Sequence, residues 1–213
     1  MKNTEIKKQG RNAAGSLALA IMAALGGAAT MSWAPEAEAA RARTTAAAPL
    51  SSAEIAELKF MREEEKLARD VYWALGEKWG LQVFWNIKSS EEQHAGTVLQ
   101  MLVKYGIPDP ASLERGVFAD PELQSLYNEL IARGMTSKIE ALKVGGLIEE
   151  ADMIDLKAAI ETSTHADLDK VYGNLLAGSK NHLRAFVGVI EGMGIDYEAQ
   201  MLTQEEVDAI LAE

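Results

Sequence analysis

The sequence predicts an all-α protein in which four long amphipathic helices pack together. Apolar residues recur at intervals of three and four in four stretches of more than 20 residues, which is the period of a helix with one buried face. Three of these stretches begin with Ser or Thr followed three residues later by an acid, a helix-start pattern. No stretch shows the alternation of apolar and polar residues that is typical of a strand.

The first two long helices are separated by a short turn. The first begins at a capping box of Ser51 and Glu54 and runs to about Trp79, and the second runs from about Gln82 to Tyr105. A glycine follows each of them, and two prolines shortly after the second prevent its continuation. Two long helices joined in this way are expected to pack side by side in opposite directions.

A long crossover separates this pair from the next. Residues 107–136 lack a long periodic element and contain one short helix, which is predicted to begin at Pro121. The third long helix is predicted over residues 137–162 and the fourth over residues 164–193, capped by Thr164, with a short terminal helix after Thr203. A four-helix bundle with a crossover between its second and third helices is the expected architecture.

Composition excludes several kinds of site. The 213-residue chain has no cysteine, so thiolate metal sites, iron–sulfur clusters and cysteine nucleophiles are excluded. It has three histidines, so a metal site would depend on carboxylates, which favours iron or manganese. The net charge of −11 argues against nucleic acid as a partner.

The N-terminal region is predicted to be a targeting signal. Residues 1–39 combine a basic start, an apolar run and an Ala-x-Ala cleavage pattern, so we expect a signal peptide and export to the periplasm or the exterior. An uncleaved membrane anchor is the alternative; once the signal is removed, no membrane span is expected. Residues 40–50 are predicted to be a linker and residues 51–213 the folded domain.

Each long helix places an acid or an imidazole where its period requires an apolar residue. A buried charge without a partner is unfavourable, and a metal ion is one such partner. Glu64 could take the place of Glu65 as a ligand, and Glu150 could take the place of Glu149. The alternative to a metal site is that the buried acids pair with the histidines. The candidate metal ligands are Glu65, Glu91, His94, Glu149, Asp152 and His182.

Four segments carry a resemblance to a known superfamily. MREEEKLARDVY (residues 61–72), SSEEQHA (89–95), KVGGLIEEADMIDL (143–156) and GSKNHLRAF (178–186) resemble ferritin-like proteins. Within that superfamily the chain looks closest to a bacterial and archaeal family of unknown function. The first segment is similar to the opening helix of rubrerythrins, and the second matches their Glu-x-x-His element.

The fourth helix departs from the ferritin-like pattern, because Ser179 stands where a second Glu-x-x-His would place its glutamate. Asp152 is a candidate to restore the number of carboxylates. A site that holds a single metal ion, or none, is the alternative. The resemblance implies a dinuclear iron or manganese site, with Glu65 and Glu149 as the bridging carboxylates. It also implies ferrous oxidation or reduction of dioxygen or hydrogen peroxide, as in a ferroxidase or peroxidase, with an external electron donor. The other hypothesis is a non-catalytic exported bundle for metal binding or interaction.

Overall fold

The computed structural model describes residues 49–213, and these residues form six helices and no strand. The predicted signal peptide and nearly all of the predicted linker lie outside the described residues. None of the helices within residues 49–213 is both long and apolar enough to cross a membrane. The helices are α1 (Ser52–Trp79), α2 (Gln82–Lys104), α3 (Pro121–Gly134), α4 (Lys138–Thr162), α5 (Ala166–Gly192) and α6 (Gln204–Leu211).

Most helix ends follow the local chemistry of the sequence. Ser51 and Glu54 form the predicted capping box before α1, and Thr203 and Glu206 form one before α6. The helix α1 ends at Gly80, whose φ of 65° is a left-handed conformation that a glycine adopts without strain. The short crossover helix α3 begins at Pro121, as predicted.

The predicted cap of the fourth long helix is wrong. The helix α5 begins at Ala166 with His165 at the N-cap position, and Thr164 lies outside it. Thr164 instead donates its backbone N–H and its hydroxyl to the Glu54 carboxylate, at 2.9 and 3.0 Å. Asp167 accepts hydrogen bonds from Lys104 and Tyr105 at the end of α2. The polar groups of this turn therefore serve tertiary contacts between helices.

The long helices pack in pairs, α1 with α2 and α4 with α5, and the pairs meet where α1 contacts α4 and α2 contacts α5. The helices α1 and α4 run in opposite directions, because Tyr72 contacts Glu149 whereas Glu54 contacts Thr164. The short helix α3 lies against α1 and α4. Two buried acids of α1 fix the crossover: Glu63 accepts from the backbone of residues 119 and 120, and Asp70 accepts from that of Gly116.

The core consists of two hydrophobic clusters rather than one. The first surrounds three tilted aromatic rings of Tyr72, Phe84 and Phe186, whose centroids are 5.2–6.1 Å apart. The second lies toward the beginning of α1 and the end of α2, around Met61 and Leu102. Along α1, α2 and α5 the members of the two clusters are separated by residues that belong to neither. The polar candidate residues lie in this intermediate layer.

Candidate metal centre

The structure brings the six candidate ligands together in the layer between the two clusters. Five of them are buried, and His94 is the most accessible, with 16% of its side chain exposed. The helix α1 contributes Glu65, α2 contributes Glu91 and His94, α4 contributes Glu149 and Asp152, and α5 contributes His182.

Glu91 is at the centre of the site. One of its carboxylate oxygens lies 2.8 Å from Nδ1 of His94, and the other lies 2.7 Å from Nδ1 of His182. The two imidazoles are stacked, with ring centroids 5.4 Å apart. Among the described residues, Glu91, His94 and His182 form the group whose ligand atoms all lie within 4.8 Å of one another, and they could hold a metal ion.

Glu65 and Glu149 flank this group on opposite sides. Glu65 Oε2 is 3.4 Å from Nδ1 of His94, and Glu149 Oε2 is 3.4 Å from Nδ1 of His182. Tyr72 donates its hydroxyl to the other oxygen of Glu149 at 2.5 Å. Glu91 therefore lies between the two imidazoles. The bridging of two metal ions by Glu65 and Glu149, which the ferritin-like resemblance implies, stays a prediction.

Ser179, which stands where the ferritin-like pattern has a glutamate, contacts the candidate ligand Asp152 directly. Its hydroxyl donates a hydrogen bond to Oδ2 of Asp152 and also contacts the carbonyl of Leu175. The position at which a second glutamate was expected on α5 is thus used to orient an aspartate of α4. The other oxygen of Asp152, Oδ1, is buried without a hydrogen-bond partner.

Two further residues shape the site, and the sequence analysis did not identify them. Ser90 Oγ lies 2.9 Å from Nε2 of His182 and 3.5 Å from Nε2 of His94. Gly178 packs against the His94 ring, since a Cβ at this position would lie 2.6 Å from Cε1 of the imidazole. The spacing of four residues between Ser90 and His94 places them on one helix face and was the available signal.

The donor atoms converge without satisfying one another. Both Nδ1 atoms approach carboxylate oxygens closely, yet neither has a hydrogen-bond partner with acceptable direction, and Oε1 of Glu65 is also unpartnered. No Lys or Arg forms an ion pair with these carboxylates anywhere in residues 49–213. Buried polar groups in proteins normally have partners, so such an arrangement is typical of residues that share a cation.

The protonation of the site follows from burial and from the close charges. Burial opposes the charged imidazoles, but the carboxylates outweigh it and raise the pKa of His94 to about 10 and that of His182 to about 11. The same contacts outweigh the burial of Glu91 and lower its pKa to about 2. Burial, followed by the charge of Asp152, raises the pKa of Glu65 well above its usual value. Burial and the charge of Glu149 raise the pKa of Asp152 to about 8.

Neither Glu64 nor Glu150, the two possible substitutes for Glu65 and Glu149, contacts a histidine of the site. Glu64 is buried beside Glu65, but it faces Asp155 rather than an imidazole. Glu150 is also buried and points away from the site, where it accepts hydrogen bonds from the segment after α5. Of the neighbouring acids Glu64 and Glu65, Glu65 is the one that contacts a histidine, and of Glu149 and Glu150 it is Glu149.

Residues 54–213 match the family described as uncharacterized protein domain (DUF2202). The chain is 45% identical over 165 residues to the uncharacterized protein MJ0754 of Methanocaldococcus jannaschii, an alignment that covers 77% of this chain and 89% of that protein. The crystal structure of the hypothetical protein MJ0754 from Methanococcus jannaschii is similar, with a TM-score of 0.76 and 44% identity. That similarity covers 78% of this chain and 95% of the other. The chain therefore belongs to the DUF2202 family.

Proposed function

We propose that this protein binds a dinuclear iron or manganese centre between its four long helices. The position of Glu91, with one oxygen near each of two imidazoles, is the observation that supports this proposal most strongly. Glu91, His94 and His182 form the inner ligand set. Glu65 beside His94, Glu149 beside His182, and Asp152, whose charge acts on Glu65, supply the additional carboxylates that a second ion requires.

We further propose that the four long helices form a ferritin-like bundle. The packing of α1 with α2 and of α4 with α5, the crossover that contains α3, and ligands from all four long helices support this assignment. The donor set of two imidazole nitrogens and four carboxylates suits iron or manganese better than soft-metal sites, which use sulfur ligands.

The chemistry proposed for the centre is ferrous oxidation or the reduction of dioxygen or hydrogen peroxide. Bound iron would supply the one-electron steps of such a reaction. The chain's own residues would orient the ligands: Tyr72 holds one oxygen of Glu149, Ser179 holds one oxygen of Asp152, and the hydrophobic clusters limit the access of water. Because the chain has no cysteine, electrons would come from an external donor or from ferrous iron itself.

Metal content tests the proposal directly. The purified full chain is expected to contain about two iron or manganese ions, and Glu91→Ala should remove most of them. Glu92→Ala is the matched control, because Glu92 is the exposed neighbour on the same helix. A protein that is free of metal, is unaffected by chelator and has the same properties after Glu91→Ala and His94→Ala would contradict the proposal. Consumption of ferrous iron or peroxide then tests whether the protein is an enzyme.

A second candidate function is a non-catalytic bundle in which the buried groups neutralise one another. The contacts of 2.7 and 2.8 Å between Glu91 and the two imidazoles favour it, because a protonated His94 and His182 would compensate the carboxylate without a metal. The same elemental analysis separates the two functions.

Export of the protein is proposed from the signal-like residues 1–39 alone. The expected result is a mature chain that begins near Ala40 in the periplasm or medium. N-terminal sequencing of the protein from fractionated cells would show this, and a full-length chain confined to the cytoplasm would contradict it.

A further inference from the structure

The candidate metal centre consists of two halves that share Glu91. In the His94 half, Nδ1 of His94 lies 2.8 Å from one oxygen of Glu91 and 3.4 Å from Oε2 of Glu65. In the His182 half, Nδ1 of His182 lies 2.7 Å from the other oxygen of Glu91 and 3.4 Å from Oε2 of Glu149. The two halves offer the same types of ligand at nearly the same distances, so a difference in metal binding between them would come from their surroundings.

The carboxylates that flank the two imidazoles differ in their support. The second oxygen of Glu149 accepts a hydrogen bond of 2.5 Å from the hydroxyl of Tyr72, whose ring packs against those of Phe84 and Phe186 in the core. Glu65 is as deeply buried as Glu149, but its second oxygen, Oε1, has no hydrogen-bond partner within residues 49–213. Glu149 is therefore oriented by the protein itself, whereas Oε1 of Glu65 is not held in place.

The two imidazoles differ in the same direction. Ser90 Oγ lies 2.9 Å from Nε2 of His182, a normal hydrogen-bond distance, but 3.5 Å from Nε2 of His94. The side chain of His94 is 16% exposed, compared with 10% for His182. Gly178, which lies against the His94 ring, has no side chain to cover it. The imidazole of the His94 half is therefore less firmly held and more accessible to water.

Asp152 does not distinguish the two halves. It interacts electrostatically with Glu65 and with Glu149, and the hydroxyl of Ser179 holds its Oδ2. The asymmetry of the centre therefore depends on Tyr72 and Ser90, which both support the His182 half.

We propose that the two halves are subsites of unequal affinity, a tight one at His182 and a weaker one at His94. This inference rests on the proposed function. Partners that orient metal ligands typically change metal affinity by about 10- to 100-fold, and ligands that are held before binding lose less conformational freedom when the ion arrives. The His182 subsite is therefore expected to bind at least about tenfold more tightly. When metal is limiting, the centre holds one ion, at the His182 subsite.

Variants that retain a single subsite test this order. The full chain, stripped of metal, is titrated with Mn²⁺, and free Mn²⁺ is measured by electron paramagnetic resonance. Glu65→Gln leaves the His182 subsite intact, and Glu149→Gln leaves the His94 subsite intact. Each is expected to bind about one Mn²⁺ per chain, and Glu65→Gln should bind it at least about tenfold more tightly than Glu149→Gln.

The comparison of these two variants excludes a simpler cause of unequal binding. Two cations in one centre repel each other, so the second of two identical subsites would also fill less readily. A protein with one subsite has no such repulsion. Glu161→Gln is the matched control, because Glu161 is an exposed acid on α4, and it should bind as the unmodified protein does.

Tyr72→Phe isolates the supporting hydroxyl and keeps the aromatic ring. In the Glu65→Gln background it is expected to weaken Mn²⁺ binding by about 10- to 100-fold. Tyr105→Phe in the same background is the matched control, because Tyr105 also donates its hydroxyl to a carboxylate, that of Asp167, outside the metal centre. This control should leave the affinity unchanged.

The possible outcomes separate this inference from the proposed function. Two Mn²⁺ ions in the unmodified protein, with equal affinities or the reverse order in Glu65→Gln and Glu149→Gln, would overturn the inference alone. Fewer than two ions in the unmodified protein would overturn the dinuclear centre and its subsites together. Should a variant fail to fold, as monitored by circular dichroism, Tyr72→Phe in the otherwise unmodified protein provides the test, and an unchanged tight binding step would overturn the inference.

Discussion

Ser90 lies beside the Nε2 atoms of both imidazoles of the site. An imidazole that binds a metal through Nδ1 must carry its proton on Nε2, and an acceptor there fixes this state and the ring orientation. Ser90 Oγ has two lone pairs and lies near both Nε2 atoms. We therefore predict that Ser90→Ala weakens metal binding by about 10- to 100-fold, the usual effect of removing such a partner. Competition with a chelating dye measures the change.

The neighbouring serine provides the control for this prediction. Ser89 is exposed on the same helix, so Ser89→Ala removes the same hydroxyl without touching either imidazole. Equal affinities of Ser90→Ala and Ser89→Ala would show that Ser90 does not orient the ligands.

Gly178 is required by the position of His94. The added methyl group in Gly178→Ala would lie 2.6 Å from Cε1 of His94, so the ring must shift from its present position beside Glu91. Alanine is otherwise preferred over glycine in a helix by about 0.5–1 kcal/mol. We predict that Gly178→Ala loses metal affinity, whereas Gly173→Ala, where nothing lies within 4 Å of the new Cβ, keeps the affinity and gains stability. Metal titration and urea unfolding of both variants test this, and equal metal affinity of the two would contradict it.

At the scale of elements, Glu150 attaches the C-terminal segment to α4. Its carboxylate accepts hydrogen bonds from the backbone of Gln200 at 2.8 Å and of Leu202 at 2.9 Å, and from the Tyr197 hydroxyl at 2.7 Å. We predict that Glu150→Ala lowers the free energy of unfolding by about 3 kcal/mol or more, because each buried donor left unpaired costs about 1–3 kcal/mol. Urea unfolding measures this loss.

Hydrogen exchange locates the same effect. Amide protection in Glu150→Ala should fall first in residues 197–211, while metal binding is retained. Glu150→Gln keeps one acceptor oxygen and should be affected less. A loss of metal binding as large as that of Glu91→Ala would instead place Glu150 in the site.

The helices themselves were predictable because their signals are local. The hydrophobic period and the helix caps each depend only on residues a few positions apart in the sequence. Helices begin after Ser51 and Thr203 and at Pro121, and α1 ends at Gly80, as predicted. The prediction for Thr164 was wrong because its backbone N–H and hydroxyl donate hydrogen bonds to Glu54, which is 110 residues away in the sequence. A cap that serves a tertiary contact cannot be recognised from its neighbours.

That the candidate residues would lie close together was predictable from the sequence, but their arrangement was not. Three consecutive acids of α1 illustrate the reason, since a helix turns about 100° per residue and each acid therefore meets a different partner. Glu63 binds the crossover, Glu64 faces Asp155, and Glu65 contacts His94. The central position of Glu91 depends on how α2 and α5 meet, which their sequences do not specify separately.

At the scale of the whole molecule, the polar layer between the two hydrophobic clusters joins all four long helices. A ligand that binds only the folded state stabilises it by about 2.7 kcal/mol at 100 times its dissociation constant. We therefore predict that Mn²⁺ raises the melting temperature and that a chelator reverses the shift. Glu91→Ala should lose most of this response, whereas Glu92→Ala should keep it. A melting temperature that ignores both metal and chelator would contradict the prediction.

Metal uptake by the whole molecule should depend strongly on pH. The carboxylates outweigh burial and raise the pKa values of His94 and His182 to about 10 and about 11, so both imidazoles are protonated at neutral pH without metal. Each must release its Nδ1 proton to bind a metal, which makes protons competitors of the ion. Below these pKa values the affinity should rise with pH, by about tenfold per unit for each proton displaced. Mn²⁺ titrations at pH 6, 7 and 8, corrected for the competing chelator, would show this increase, and an affinity that stays constant or falls over this range would mean that the imidazoles are not ligands.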